Sequence, residues 1–197
     1  MQKPIIVAEN AASLDWITDG NYVLGVGLGY RPEEFEALGV EFEQRVSRFE
    51  EAIPLIRRLW NEDSVTHHGK HFKVGGLGAS IKPKRAGGPP IWVGGDVIAA
   101  VKRAAKLNCP WIAPPTMTFQ EITERVEVYK KTSAEISGRS VNEQPIIREV
   151  AIGKTKAEAL RAARPALLSK YESYASWGQT ATKEQVSLSD SFDEFIK

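Results

Sequence analysis

The chain has 197 residues with 26 basic and 25 acidic side chains, which gives a net charge of +1 at neutral pH. This balance excludes the strongly basic field that nucleic acids and anionic membrane surfaces attract, so we expect neither kind of partner. Cys109 is the single cysteine, which excludes an intrachain disulfide framework. No run approaches the ~18 apolar residues of a membrane span, and the start lacks a signal-peptide pattern, so we expect a cytoplasmic protein.

The apolar pattern of the first half predicts two helices around a short strand, followed by a hairpin. The strand, residues 22–28, is too short and too continuously apolar for an amphipathic surface strand, so we expect it to be buried on both faces. The other predicted elements are a helix over 4–17, a helical turn from 32, a long amphipathic helix over 43–60, a hairpin over 64–74 and a loop over 75–90.

Three further strand-and-helix units follow in the second half. The predicted strands cover 90–93, 110–113 and 146–153, and each precedes a helix, over 97–107, 119–136 and 156–177. This alternation predicts an α/β fold with four parallel strands and right-handed crossovers. We assign residues 1–177 to one domain and the polar residues 178–197 to a C-terminal tail.

Three glycines alternate along the end of the first strand: Gly25, Gly27 and Gly29. Missing side chains let a backbone or a ligand approach closely, and ligands bind at the carboxyl ends of parallel strands. A Rossmann dinucleotide site is the alternative, but the spacing is GxGxG rather than GxGxxG. The next ~20 residues also contain a helix rather than a second strand that ends in an acidic residue, as the dinucleotide fingerprint requires.

Several sequence blocks occur in the order found in one known family. They are LGVGLGYRPEEFEALG from Leu24, Arg45 with the helix from Glu50-Glu51 to Leu59-Trp60, HGKHF from His68, Lys82-Pro83, and PPIWVGG from Pro89. Together these blocks cover about residues 4–165 and resemble the bacterial luciferase-like monooxygenase family.

The resemblance implies a partial (β/α)8 TIM barrel with a small β-hairpin insertion. It places the helix over 4–17 after the third strand of the family's barrel, so the first three βα units and the last one have no counterpart here. Members of this family use FMN or the deazaflavin F420, and the resemblance implies one of these cofactors and a small organic substrate.

The turn Gly94-Gly95-Asp96 is the first candidate cofactor site, because it joins a strand to a helix N-terminus, where backbone N–H groups bind anions. By resemblance, Gly94 and Gly95 hold the cofactor phosphate; the alternative is a tight turn that binds nothing. Val97 replaces a serine common in the family, and Leu28 occupies a position where some members carry an arginine. Both differences predict a weaker phosphate affinity.

Two further side chains are candidate cofactor contacts. Arg45 resembles a family residue that reaches the phosphate, and its guanidinium is a fixed fork of donors. Alternatively, Arg45 is a solvated helix end paired with Glu41 or Glu43. Tyr30, beyond the glycine-rich strand, could stack on or hydrogen-bond to the cofactor or substrate, or it could be a half-exposed loop aromatic.

Other reactive side chains do not form a recognisable site. His67, His68 and His71 lack a nearby carboxylate or cysteine at ligand spacing, so we predict no metal. Cys109 lies before a strand, remote from the expected site, which indicates a packing role. No residue stands out as a nucleophile or general acid, and the catalytic residues stay unassigned.

Two functional hypotheses follow. The first is an FMN- or F420-dependent oxidoreductase, or a piece of one. The second is a non-catalytic half-barrel that binds a phosphate-bearing ligand weakly or acts only in association. Four strands leave unpaired sheet edges, which natural proteins cover, so we expect a homo-oligomer or a partner chain that completes the barrel.

Overall fold

A computed structural model describes residues 2–138 and 144–177, so the predicted tail lies outside the described residues. The helices are α1 (Pro4–Ile17), α2 (Pro32–Ala37), α3 (Arg45–Asn61), α4 (Ile98–Lys106), α5 (Phe119–Ser137) and α6 (Lys156–Ser176). The strands are β1 (Leu24–Val26), β2 (Val65–His68), β3 (Lys73–Leu77), β4 (Ile91–Gly94) and β5 (Trp111–Ile112). A short 3₁₀ helix, Phe42–Gln44, leads into α3.

The central sheet is parallel, as predicted. Its strand order is β1-β4-β5, and in its register Leu24 lies opposite Ile91 while Val93 lies opposite Trp111. Helices α3 and α4 separate the strands along the chain, which is the βαβ arrangement that the sequence alternation indicates. The separate antiparallel pair β2–β3 confirms the predicted hairpin.

The predicted fourth strand is wrong for most of its length. Ile146 alone forms a parallel bridge, to Ala113, and residues 147–153 form no strand in the described part of the chain. Val150 and Ile152 are 82% and 91% exposed. The β-branched composition favours a strand only where a neighbouring strand and a packed face receive it, and no described residue supplies either for this segment.

The prediction that the first strand is buried on both faces is also wrong. Leu24 is buried, but Gly25 is exposed and Val26 is only partly buried. The regular strand is shorter than predicted, three residues rather than seven, and it pairs on one side only within the described residues. Its apolar run therefore reflects a strand with an open face rather than a strand enclosed by two layers.

The core lies between the sheet and helices α1, α3, α4 and α5. Leu59, Val101 and Trp111 are fully buried in it, and the indole N–H of Trp60 donates to the carbonyl of Ala8, 2.9 Å away, which ties α3 to α1. Within residues 2–138 and 144–177, no helix is both long and apolar enough to cross a membrane.

Glu51 fastens the β2–β3 hairpin to α3. Its Oε2 accepts the backbone N–H of His71, and its Oε1 accepts that of Phe72, both at 2.9 Å. Nε2 of His67 also lies 2.9 Å from Oε1, while Nε2 of His71 contacts the Ser47 hydroxyl at 2.8 Å. Two of the three histidines thus contact side chains of α3, and no group of metal-type ligands is assembled among the described residues.

The pKa of Glu51 is set by competing effects. Burial favours the neutral acid, but the hydrogen bonds from His67, His71 and Phe72 outweigh it and lower the pKa below its ordinary value of 4.5. The ionised carboxylate therefore stabilises the fold at pH values above 4.5, the ordinary pKa of the group. This stabilisation is lost as the pH falls through the lowered pKa of the folded state.

We expect Glu51→Gln to lower the free energy of unfolding at pH 7 by about 1–3 kcal/mol, because an amide NH₂ would then face a partly buried backbone N–H donor. The difference in unfolding free energy between the variant and the native chain should narrow as the pH falls below 4.5, the ordinary pKa of a glutamate carboxyl. Urea unfolding followed by tryptophan fluorescence measures both. Glu43→Gln, at an exposed position of the 3₁₀ helix, is the control; equal losses in the two variants would contradict the role of Glu51.

Candidate functional site

The two glycine-rich strand ends lie at the same edge of the sheet. Because β1 and β4 are parallel and Val26 lies opposite Val93, Gly27 and Gly94 follow at the same carboxyl edge. Beyond its neighbours in the chain, a Cβ atom built on Gly25 or Gly27 would meet no atom of the described residues within 4 Å. The first strand end therefore borders open space, at the edge where parallel α/β sheets bind ligands.

The turn between β4 and α4 packs tightly against its own helix. Gly95 has a φ of 154°, and a Cβ atom there would lie 2.5 Å from the Cβ of Ala100. A Cβ on Gly94 would make ordinary contact, 3.6 Å from Ile112. The indole N–H of Trp111 donates to the carbonyl of Gly95 at 2.7 Å, which fixes the turn to β5. Glycine is therefore required at position 95 and less so at 94.

The N-terminus of α4 opens at this turn without a side-chain cap. Val97 is the N-cap residue, in an extended conformation, and its carbonyl accepts the N–H groups of Ala100 and Val101. A valine side chain cannot accept hydrogen bonds from the preceding donors in the first turn, Ile98 and Ala99. These donors and the helix dipole give this edge a partial positive charge suited to an anion.

Asp96 contributes to the turn through its backbone. Its carbonyl accepts Nε–H of Arg125, from α5, at 2.7 Å. Sequence patterns missed both Arg125 and Trp111, because these contacts join residues 29 and 16 positions apart. No local spacing signals them.

Arg45 lies at the start of α3, beside β1. Its Nη1 donates to the carbonyl of Phe42 at 2.9 Å, and its guanidinium lies 3.7 Å from the centre of the Phe42 ring. In the described part of the chain no ion pair joins Arg45 to Glu41 or Glu43, and the predicted contact of Arg45 with a cofactor phosphate stays a prediction.

A cavity of about 370 Å³ separates Arg45 from the exposed edge of β1. Residues 24–28 and the α3 side chains Arg45, Arg48 and Phe49 line it, whereas Gly94 and Gly95 do not. This cavity therefore associates Arg45 with the β1 strand end rather than with the β4 turn.

Tyr30 is a partly exposed loop aromatic, 40% accessible, that packs against α6. Its ring centre lies 6.3 Å from that of Tyr174 and 5.9 Å from that of Trp177. Burial, with the nearby Tyr174 and Glu34, raises the pKa of the Tyr30 phenol, which therefore stays protonated. Tyr30 is thus half exposed and packed on α6, and its predicted contact with a cofactor or substrate stays a prediction.

Cys109 is fully buried at the amino end of β5, as expected for a packing residue. Its carbonyl accepts the hydroxyl of Tyr129 at 2.8 Å, and Arg57 donates to its sulfur at 3.0 Å. Burial raises the pKa of the thiol, so it is protonated and unreactive at neutral pH.

Comparison with known proteins decides the family. A family model described as luciferase-like monooxygenase matches residues 1–191. The chain belongs to this family. The resemblance inferred from the glycine-rich strand end and the PPIWVGG block is confirmed, and so is the α/β fold of the partial barrel type.

One similar protein is a phthiodiolone/phenolphthiodiolone dimycocerosates ketoreductase from Mycobacterium kansasii. It is 31% identical over 140 residues, which are 70% of this chain and 38% of that protein. The enzyme of the same name from Mycobacterium tuberculosis is matched over 41% of its length. The chain thus spans about two fifths of these relatives.

Two solved structures share the fold. The oxygenating constituent of 3,6-diketocamphane monooxygenase from Pseudomonas putida, in complex with FMN, has a TM-score of 0.74 and 19% identity, over 99% of this chain and 60% of that one. An F420-dependent secondary alcohol dehydrogenase in complex with an F420-acetone adduct has a TM-score of 0.69 and 20% identity, over 82% of this chain and 50% of that one.

We expect Gly95→Ala to lower the free energy of unfolding by about 1–3 kcal/mol, because the new methyl group must displace Ala100. Gly94→Ala is the matched control, with an expected change below about 1 kcal/mol, since its methyl group fits at ordinary contact distance. Urea unfolding of both variants measures the difference. Similar losses at positions 94 and 95 would show that the turn is not packed as described.

Proposed function

We propose that this chain is part of an FMN- or F420-dependent oxidoreductase and that the N-terminus of α4 holds the cofactor phosphate. One observation carries the proposal: the uncapped first turn of α4 opens at the same sheet edge as the glycine-rich end of β1. The substrate would be a small organic molecule.

The residues present fit such a cofactor. The first-turn N–H groups of α4 suit a phosphate, and Gly95 brings the backbone against the helix without an intervening side chain. Gly25 and Gly27 leave space along the neighbouring strand, where a larger group attached to the phosphate can lie. Arg45, on the far side of the β1 strand end, adds a positive charge to that region.

A bound flavin or deazaflavin would supply the redox chemistry, which no side chain of the described site provides. The protein's own residues bind and orient. The turn Gly94-Gly95-Asp96, fixed by Trp111 and Arg125, would hold the phosphate in place. Tyr30 packs against Tyr174 of α6 and would help to keep this helix near the carboxyl ends of the strands.

The similar proteins support this proposal in different ways. One solved structure of the same fold contains FMN and another contains an F420 adduct, so the fold accommodates either cofactor in those proteins. The mycobacterial relatives are named as ketoreductases. Since the chain spans only part of these proteins, activity of the whole enzyme is proposed rather than carried over.

The second candidate function is a non-catalytic half-barrel that associates with another chain. The side of β1 that faces away from β4 favours it. Within the described residues this edge has no strand partner, and a cavity lined by apolar side chains together with Arg45 and Arg48 lies beside it. A second copy or a partner chain could pair there, as the sequence predicts, and sedimentation of the purified chain tests this. Cytoplasmic location also stays a prediction.

Titration with FMN and with riboflavin, followed by flavin fluorescence, tests the proposed phosphate site. We expect saturable binding of FMN at least tenfold tighter than that of riboflavin, which lacks the phosphate. F420 and its phosphate-free deazaflavin core form the parallel pair.

The variant Ala99→Glu separates binding from folding. Ala99 is exposed in the first turn of α4, where a carboxylate stabilises a helix by about 0.3–1 kcal/mol but repels a phosphate. We expect an unfolding free energy at least equal to that of the native chain and at least tenfold weaker FMN binding. Ala99→Gln, without the charge, should bind nearly as the native chain does. FMN binding unchanged by Ala99→Glu, or no saturable binding of either cofactor, would overturn the proposal.

A further inference from the structure

Helix α6 lies near the segments that follow β1 and β5 at the carboxyl ends of these strands. Its first turn packs on Gly153, where a Cβ atom would lie 2.6 Å from the backbone nitrogen of Ala159, and Gly153 follows the Ile146 bridge beside β5. Its last residues reach the other side of the sheet, where Tyr174 contacts Tyr30 beyond β1. A helix of 21 residues is about 31 Å long, enough to cross the three strands.

A large cavity lies beneath this helix, which we call the α6 cavity. Its volume is about 1010 Å³, at the upper end of the about 300–1,000 Å³ typical of small-molecule sites. One wall is the loop 115–119 that follows β5, another is the segment 148–153, and the third is the inner face of α6. It thus lies at the carboxyl end of the strand next to the Gly94–Gly95 turn.

The walls of the α6 cavity are mainly apolar, although they are accessible to solvent. Phe119 is 71% exposed, and Val150 and Ile152 are more exposed still. Other apolar residues of the lining include Met117, Leu160, Ala163 and Leu167. Apolar surface of this extent, gathered on facing walls, favours an apolar ligand that removes it from water.

One end of the α6 cavity carries a positive charge. Arg148 donates from Nη1 to the carbonyls of Pro114 and Ile147, at 3.3 and 3.0 Å, and from Nη2 to that of Met117 at 3.0 Å. Three of the five guanidinium N–H donors are thereby used. No carboxylate pairs with Arg148 in the described part of the chain. The carboxylate of Glu149 also lines the cavity, but it is paired with Lys170.

The fixed position of Arg148 makes it a directional donor for an anionic group. Its guanidinium also lies 4.9 Å from the centre of the Phe119 ring, at the boundary between the charged end and the apolar walls. Lys156, on the first turn of α6, adds a second cation to the lining. A ligand with one anionic end and a long apolar body matches both features.

We propose that the α6 cavity binds an elongated apolar molecule with a carboxylate-type anionic end, held by Arg148. The α6 cavity is the substrate site only if the proposed oxidoreductase function holds. Binding of the amphipathic ligand depends on the cavity alone. The substrate class is then an amphipathic acid rather than a small polar metabolite.

The fluorescent probe 11-(dansylamino)undecanoic acid, titrated into the full chain, tests the proposal. We expect saturable binding of one equivalent. Ala163→Trp, which places an indole in the cavity, should weaken it at least tenfold, whereas Ala162→Trp, on the exposed face one residue away, should change it less than twofold. Equal effects of the two tryptophans, or no saturable binding to the native chain, would overturn the proposal.

Arg148→Met tests the charged end with a second ligand as an internal control. It should weaken binding of the acid about tenfold and leave binding of its methyl ester within twofold of the native value. A loss shared equally by acid and ester would show that Arg148 does not recognise the anionic end. The FMN and riboflavin titration reports separately on the α4 turn, so probe binding without FMN binding would retain the cavity and reject the cofactor proposal.

Discussion

The parallel pairing of β1 with β4 is the constraint on which the candidate site depends. Because Leu24, Gly25 and Val26 lie opposite Ile91, Trp92 and Val93, the chain leaves both strands at the same edge. The open glycine-rich end of β1 and the uncapped N-terminus of α4 therefore face one region. Helix α6 contacts Tyr30, which follows β1 at that edge, and it lines a cavity together with the loop that follows β5.

Helix periodicity and turn residues allowed much of this fold to be predicted from the sequence. The helices over 4–17 and 119–136 agree with the structure within a residue, since Pro4 in the first turn of α1 and the shared face of Ile122, Val126 and Tyr129 in α5 are local signals. The strand predicted over 146–153 was wrong because its formation depends on distant parts of the chain rather than on local signals. A strand exists only where another strand and a packed layer receive it, and sequence composition does not contain that partner.

The candidate site likewise contains residues that local sequence patterns predict and residues that they do not. Gly94 and Gly95 were identified from a strand–turn–helix pattern, and their roles in the turn are local. The residues that fix the turn, Trp111 and Arg125, act across 16 and 29 positions and leave no pattern in the sequence. Likewise, Tyr30 was identified from its place after the strand, but its packing on Tyr174 depends on where α6 ends, which only the folded chain determines.

Amide chemical shifts in a ¹⁵N-labelled sample titrated with FMN test the central claim most directly. If the two strand ends bind one ligand, the amides of Val97, Ile98 and Ala99 should shift together with those of Gly27 and Gly29, and far less with riboflavin. Shifts centred instead on Tyr22 and Cys109, which precede β1 and β5 at the opposite edge of the sheet, would contradict the account.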